Sequence, residues 1–248
     1  DSFHEYGAFQ VAARQFRSSM EELIDRTPAD GLIAGLARVN GDKFDDEHAR
    51  AMVMSYDYTV LAGTQGFNNH HKNDRMFELT GDMRLPLVIF AEGGGGRLGD
   101  TDKIFSADLH IPAFKLFGRL SGLVPMIGIT TGRCFAGNAV LLGCCDVVIA
   151  TKDSNIGMGG PAMIEGGGLG VYRPEEVGPM SVQKASGVVD IAVEDEAEAV
   201  AVAKKYLSYF QGPVDEWEAA DQRWLRRSIP ENRLRVYDIR EVIDTIAD

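Results

Sequence analysis

With 248 residues, 45% of them hydrophobic and 25% charged, the chain suits one large domain or two small ones around a sizeable core. Its 25 basic and 37 acidic side chains leave a net charge of −12, which argues against nucleic acid or an anionic membrane surface as a partner. No apolar run reaches the roughly 18 residues that mark a membrane span. No secretory signal opens the chain at Asp1-Ser2-Phe3, and upstream sequence is expected there. Cys134, Cys144 and Cys145 form no CxxC pair, which disfavours a zinc ribbon. All three lie in an apolar stretch and read as buried free thiols in a reducing, cytoplasmic compartment.

Apolar residues at helical spacing (Phe9, Ala12, Ala13, Phe16, Met20, Leu23) predict a helix over Gly7 to Arg26, broken by Thr27-Pro28-Ala29-Asp30-Gly31. Leu32 to Val39 and Ala51 to Ala62 read as partner strands around a turn at Asn40-Gly41-Asp42. A helix is expected over Gly66 to Met83, with Lys72, Arg75 and Met76 close together on one turn. Leu85 to Ala91 is an apolar strand running into Glu92 and four glycines, and His110 to Leu120 reads as a helix. Val124 to Thr130 is a second apolar strand, Asn138 to Gly143 a short helix, and Asp146 to Ala150 a third strand. Near-continuous apolar strands separated by helices indicate a sheet covered on both faces. After a glycine-rich stretch from Ser154 to Gly170, a last strand is expected over Val188 to Val193 and an amphipathic helix over Asp195 to Phe210. The composition shifts after Gly212-Pro213 to a charged, Trp-containing tail ending in a helix, Ile239 to Ala247.

Two glycine turns carry the chemistry. Glu92-Gly93-Gly94-Gly95-Gly96-Arg97 lets the backbone approach a ligand closely and aim amide N–H groups at an anion or a polarised carbonyl, unless it is a mere flexible turn. It lacks the GxGxxG and GK[ST] patterns of dinucleotide and P-loop sites. Phe135-Ala136-Gly137-Asn138 opens a short helix, whose first N–H groups are unpaired; the alternative is a small-residue packing contact. Donors from Gly94, Gly95 or Gly96 and from Ala136 or Gly137 converging on one oxygen would form an oxyanion hole. Side-chain catalysts are scarce. His4, His48, His70, His71 and His110 have no nucleophile-elbow partner and no metal-ligand spacing, so no metal site is expected. Glu92 reads as structural or as a general acid or base, and Glu165 is the other glycine-flanked carboxylate.

Several segments fall in a telling order. They begin with Glu5-Tyr6-Gly7, Gly63-Thr64-Gln65-Gly66, and Leu85-Pro86-Leu87-Val88 leading into Gly94-Gly95-Gly96-Arg97. Arg133 to Asp146 and Lys152-Asp153-Ser154 through Gly159-Gly160-Pro161 follow. Glu175-Glu176-Val177-Gly178 through Ser186-Gly187-Val188-Val189, and Pro230-Glu231-Asn232 through Tyr237-Asp238-Ile239-Arg240, complete the series. Taken together they resemble the carboxyltransferase family of acyl-CoA carboxylases, within the crotonase-like superfamily. The glycine turn is similar to the family's GGAR turn, with Gly96 in place of its alanine and Glu92-Gly93 where Asp-Ser often stands. Ser181-Val182-Gln183-Lys184 lacks the usual histidine, and the absent zinc ribbon sets the chain apart from the split bacterial acetyl-CoA carboxylase β subunit.

The resemblance implies an α/β, crotonase-like (ClpP/crotonase) superhelix of ββα turns. It further implies that residues 1–248 form an N-terminal, acyl-CoA-binding domain, with a C-terminal carboxyltransferase half outside this chain. The reaction would move a carboxyl group from carboxybiotin, carried on a separate carrier domain, to the α-carbon of an acyl-CoA. Partners would be the C-terminal half, the biotin carboxyl carrier and biotin carboxylase components, and further copies in a hexamer. Lys72, Arg75 and Arg97, each alone a solvated charge, would meet CoA phosphates. Phe135, Gly159, Gly160 and Pro161 would line the substrate. The rivals are a stand-alone crotonase-superfamily hydratase or decarboxylase, which needs Glu92 or Glu165 in the pocket, and a non-catalytic CoA-binding assembly domain.

Overall fold

The computed structural model describes residues 2–102, 111–214 and 217–247, and the chain divides into two compact units, Asp1–Gly212 and Pro213–Asp248. The first unit is built on a sheet with the order β1 (Phe3–Glu5), β2 (Leu32–Arg38), β3 (Arg50–Tyr56), β4 (Leu87–Phe90), β5 (Met126–Thr130), β7 (Val147–Thr151), β9 (Ile191–Val193). β1, β2 and β3 pair antiparallel, and β3 through β9 run parallel, in register Met52↔Leu87↔Met126. A second, parallel pair joins β6 (Arg133–Phe135) to β8 (Asn155–Gly157). The helices of this unit are α1 (Met20–Arg26), α2 (Phe67–Met83), α3 (Pro112–Gly118), α4 (Gly137–Gly143), α5 (Pro161–Gly166), α6 (Met180–Gln183) and α7 (Glu196–Ser208).

Alternation along the strands sorts the core into two layers. Leu32, Met52, Met54, Leu87, Ile89 and Met126 face α2 and α3, where Phe77 and Phe117 meet edge to face with ring centroids 4.8 Å apart. Val88, Ile127, Ile129, Val147 and Ile149 face Ala199, Ala203 and Leu207 of α7. The parallel strands are therefore covered on both faces, which is why they read as unbroken apolar runs. The second unit carries α8 (Leu225–Ser228) and α9 (Arg240–Ile246).

The expected helix over Gly7 to Arg26 is the main correction: α1 spans only its last seven residues. Ahead of it the chain makes isolated turns, and much of its backbone bonds across the fold. Asn68 Nδ2 donates to Val11 O, Thr101 N–H to Ala13 O, and Ala12 N–H to Thr27 Oγ1. Ala12 and Ala13 are buried by these contacts, whereas Phe9 and Phe16 stand in solvent. The strand expected to reach Ala62 stops at Tyr56, because Asp57 opens a turn, accepting from Val60 N–H (3.1 Å) and, through Oδ1, from Thr59 N–H (2.9 Å). The strand expected from Val188 begins at Ile191. Arg133–Phe135, at the second glycine turn, and Asn155–Gly157, in the glycine-rich stretch, pair with each other as strands. His110, expected to open a helix, lies outside the described residues, and the helix begins at Pro112. Cys134 is buried and Cys145 half-buried, but Cys144 is exposed, against the expectation; all three are free thiols.

Candidate active site

The site lies where β4 and β6 deliver their glycine turns. Most amides in these turns are engaged inside the protein. Gly93 N–H donates to Arg133 O (2.8 Å), Gly94 N–H to Ala62 O (3.0 Å) and Ala136 N–H to Gly157 O (3.0 Å). Gly95 N–H donates to Asn138 Oδ1 (3.0 Å). Gly94, Gly95 and Ala136, expected as donors to a ligand, are thereby corrected: their N–H groups already have partners. Among the described residues Gly96 N–H and Gly137 N–H have none. Gly137 is the first residue of α4, whose opening N–H groups cannot bond within the helix.

The two turns touch. Gly95 adopts φ +84, and a Cβ there would stand 2.5 Å from Ala136 Cβ and 3.2 Å from Gly137 N. Beside Gly96 the space is open, with nothing within 4 Å of an added Cβ. On the far side of Gly137, an added Cβ would meet Gln65 Oε1 at 2.7 Å and the Phe114 ring at 3.4 Å. Gln65 also brackets the first turn through its backbone: its N–H donates to Gly95 O (2.7 Å) and its O accepts from Arg97 N–H (2.8 Å). Its Nε2 donates to Tyr56 OH (3.1 Å), which also accepts from Asn73 Nδ2 (2.7 Å). Burial holds the Tyr56 hydroxyl neutral, well above its ordinary range.

Arg97 does not face a ligand. Its side chain is 2% exposed, pairs with Asp30, lies 3.7 Å from Asp100, and donates to Thr64 O (2.7 Å). Asp100 in turn accepts from Arg14 Nε (3.1 Å) and from Phe67 N–H (2.8 Å) at the start of α2. The expectation that Arg97 meets a CoA phosphate is corrected on this ground: both its neighbouring charges are carboxylates of the interior. Burial pushes the Asp30 carboxyl up while Arg97 pulls it down.

Lys72 and Arg75 line a separate groove of about 470 Å³ with Tyr6, Gly7, Gln10 and Met76. Lys72 is buried, and its Nζ donates to Gly7 O (3.2 Å) and to Leu32 O. Desolvation lowers its pKa to about 8. Arg75 is open to solvent, with Glu78 3.3 Å away. Phe135 is buried with its ring against Gly157 and Gly160, and Gly159-Gly160 lead into α5 at Pro161. Around them Met158, Met163, Leu169 and Val171 are exposed.

Glu92 points elsewhere. It lines a pocket of about 640 Å³ with Ile33, Val53, Phe90, Thr131 and Glu196, and that pocket includes neither Gly96 nor Gly137. Its carboxylate accepts from Thr131 N–H and from Thr131 Oγ1 (2.9 Å), and burial raises its pKa. Glu165 sits exposed on α5. Among the described residues, no group of three or more His, Cys, Asp and Glu is placed to hold a metal ion, and no helix is long and apolar enough to cross a membrane.

The sequence singled out neither Asn138 nor Gln65 as a working side chain. Asn138 carried a signal in hindsight: it is the polar residue of the otherwise apolar helix Gly137–Gly143.

The mixed sheet, with glycine turns following β4 and β6, makes this an α/β protein, and its likeness to solved carboxyltransferase structures places it in the crotonase-like class. The chain belongs to the carboxyl transferase domain family, whose model matches residues 1–248. It is 30% identical over 256 residues to the methylmalonyl-CoA carboxyltransferase 12S subunit of Propionibacterium freudenreichii subsp. shermanii, covering 100% of this chain and 47% of that protein. It is 26% identical over 237 residues to the biotin-dependent acetyl-/propionyl-coenzyme A carboxylase beta6 subunit of Mycobacterium tuberculosis, covering 94% of this chain and 48% of that protein. Among solved structures, a single-chain, multi-domain long-chain acyl-CoA carboxylase is similar at TM-score 0.90 and 59% identity, covering 99% of this chain and 24% of that one. The transcarboxylase 12S hexamer core is similar at TM-score 0.75 and 26% identity, covering 98% of this chain and 46% of that one. The chain thus spans about half the length of these curated relatives.

Proposed function

We propose that residues 1–248 are the N-terminal, acyl-CoA-binding domain of a biotin-dependent carboxyltransferase, completed by a C-terminal half. One observation carries this reading: the unpartnered N–H groups of Gly96 and Gly137 belong to two turns in contact, with open space beside Gly96. Removal of an α-proton from an acyl thioester sends its electron pair onto the carbonyl oxygen. Two fixed N–H dipoles aimed at that oxygen stabilise the charge more than the neutral carbonyl, and each such donor is worth about 3 kcal/mol in comparable sites. The enolate carbon then forms the new C–C bond. Carboxybiotin, on a separate carrier domain, would break its N–C bond to release CO2, the biotin nitrogen left behind would take up the α-proton, and the enolate carbon would add to that CO2; the free space beside Gly96 suits approach to that carbon. Arg75 is the exposed cation of the Lys72 groove left to meet a CoA phosphate.

The acyl group is a long chain in this reading. The 59% identical structure is a long-chain acyl-CoA carboxylase, and the apolar surface of Met158, Met163 and Leu169 extends from the Phe135–Gly160 contact beside the turns. The partners are the biotin carboxyl carrier and biotin carboxylase components, within a hexamer as in the transcarboxylase 12S core. The hydratase rival is disfavoured because Glu92 lines the other pocket.

The test is carboxyl transfer from carboxybiotin to a long-chain acyl-CoA, measured with this chain alone and with the C-terminal half added. Transfer only with both halves is expected. Hydration of crotonyl-CoA by the chain alone would replace the reading with a hydratase.

A further inference from the structure

Asn138 is fully buried, and its side-chain amide is engaged entirely by backbone groups of two loops. Nδ2 donates to Gly63 O (3.3 Å), in the loop before α2, and to Glu92 O (3.0 Å), at the start of the glycine turn. Oδ1 accepts from Gly95 N–H (3.0 Å), inside that turn. Gly93 is pressed against the same amide: a Cβ at 93 would run into Asn138 Nδ2 and the Gly63 carbonyl. Absence of a side chain at 93 thus makes room for the Asn138 amide and not for a ligand.

The geometry matters because of what adjoins each end. Gly96 follows Gly95 directly, and Gly137 precedes Asn138. One planar amide therefore fixes the separation of the two free N–H groups, Gly96 on the first turn and Gly137 on the helix. Donors of this kind act by being held in place before charge develops, and a displacement near 1 Å costs up to about a hundredfold in rate. The arrangement also needs an amide in particular. A carboxylate has the acceptor for Gly95 but would turn its second oxygen on two carbonyl oxygens, and an aliphatic group satisfies none of the three.

We propose that Asn138 is a positioning residue that sets the spacing of the Gly96 and Gly137 donors without touching the substrate. This rests on the carboxyltransferase reading of the same site. Its test combines kinetics in the complete enzyme with amide hydrogen exchange over residues 92–97, which needs no activity. Asn138→Ala should lower kcat at least about tenfold while KM for acyl-CoA moves less than about threefold. Exchange should rise in residues 92–97 but not in β4 or β5. Asn138→Asp gives a second readout, since its neutral acid has one O–H to donate and its carboxylate none. Its kcat relative to wild type should fall about tenfold as pH rises through the new acid's pKa, a dependence that a purely structural loss would not create. Unchanged kcat, a loss carried by KM, or native exchange over 92–97 in Asn138→Ala would each overturn the proposal. If wild type itself transfers no carboxyl group, the functional reading fails, and the exchange measurement alone still decides whether Asn138 holds the turn.

Discussion

Replacing neighbouring glycines of the turn by alanine should shift stability in opposite directions. At Gly95 the backbone has φ +84, and an added Cβ would stand 2.5 Å from Ala136 Cβ. An L-residue in that region costs about 1–2 kcal/mol, and forcing a methyl into a filled space costs about 1–3 kcal/mol. Gly95→Ala should therefore lose about 2–5 kcal/mol. Gly96 has no left-handed φ and open space around its Cβ position. Gly96→Ala should gain about 0.4–1 kcal/mol by restricting the unfolded chain. At about 2–4 °C per kcal/mol for a domain of this size, Gly95→Ala should melt roughly 4–20 °C lower and Gly96→Ala about 1–4 °C higher. Thermal melts followed by circular dichroism, with urea midpoints as a second measure, read this directly. A melting temperature for Gly96→Ala as low as that of Gly95→Ala would refute the placement of the two residues.

Arg97→Met leaves Asp30 and Asp100 without their shared cation, so it should destabilise by about 3–5 kcal/mol in urea unfolding, with Asp30→Asn in the same chain recovering part of the loss. Lys72 has a folded pKa of about 8 against 10.5 unfolded, so the unfolded state binds the extra proton between those values. Stability should accordingly rise with pH from about 8 to about 10.5, and Lys72→Met should flatten that rise. Arg75→Glu should weaken CoA binding in calorimetry, more at low salt than at high, whereas no change would move the phosphates elsewhere. Met163→Asp should raise KM for a long-chain acyl-CoA at least about fivefold while leaving a short-chain one nearly unaffected; equal effects on both would separate α5 from the acyl chain.

The parts of the fold that were legible in the sequence are those whose pattern has one physical cause. Leu87–Phe90 is apolar throughout, and Met126–Thr130 and Val147–Thr151 are apolar up to their closing threonines, because both sheet faces are covered. Phe67–Met83 was legible from its spacing and its flanking glycine. Gly7 to Ser18 was not, because Val11, Ala12 and Ala13 are held by bonds to Asn68, Thr27 and Thr101 in turn, and the apolar spacing matches a helix by coincidence. At the site, the sequence located both turns but not which amides are free. That depends on acceptors remote in the chain: Ala62 for Gly94, Asn138 for Gly95, Gly157 for Ala136. Arg97 misled for the same reason, since Asp30 is 67 residues away and nothing local announces that it waits inside.

In the proposed function the Gly96 and Gly137 N–H groups hold the developing oxyanion. Replacing the amide at position 137 by an ester, through semisynthesis with glycolic acid in place of Gly137, removes that N–H and leaves the chain's shape intact. The N–H has no partner among the described residues, and the ester only weakens Ala136 O as acceptor for Val140 N–H (3.0 Å), so about 1 kcal/mol or less is lost and the melting temperature should stay within about 4 °C. The rate of carboxyl transfer to acyl-CoA in the complete enzyme should fall about 100- to 1000-fold with substrate affinity preserved. A rate within about threefold of the all-amide protein would contradict the account, because a donor essential to charge stabilisation cannot be removed at so small a cost.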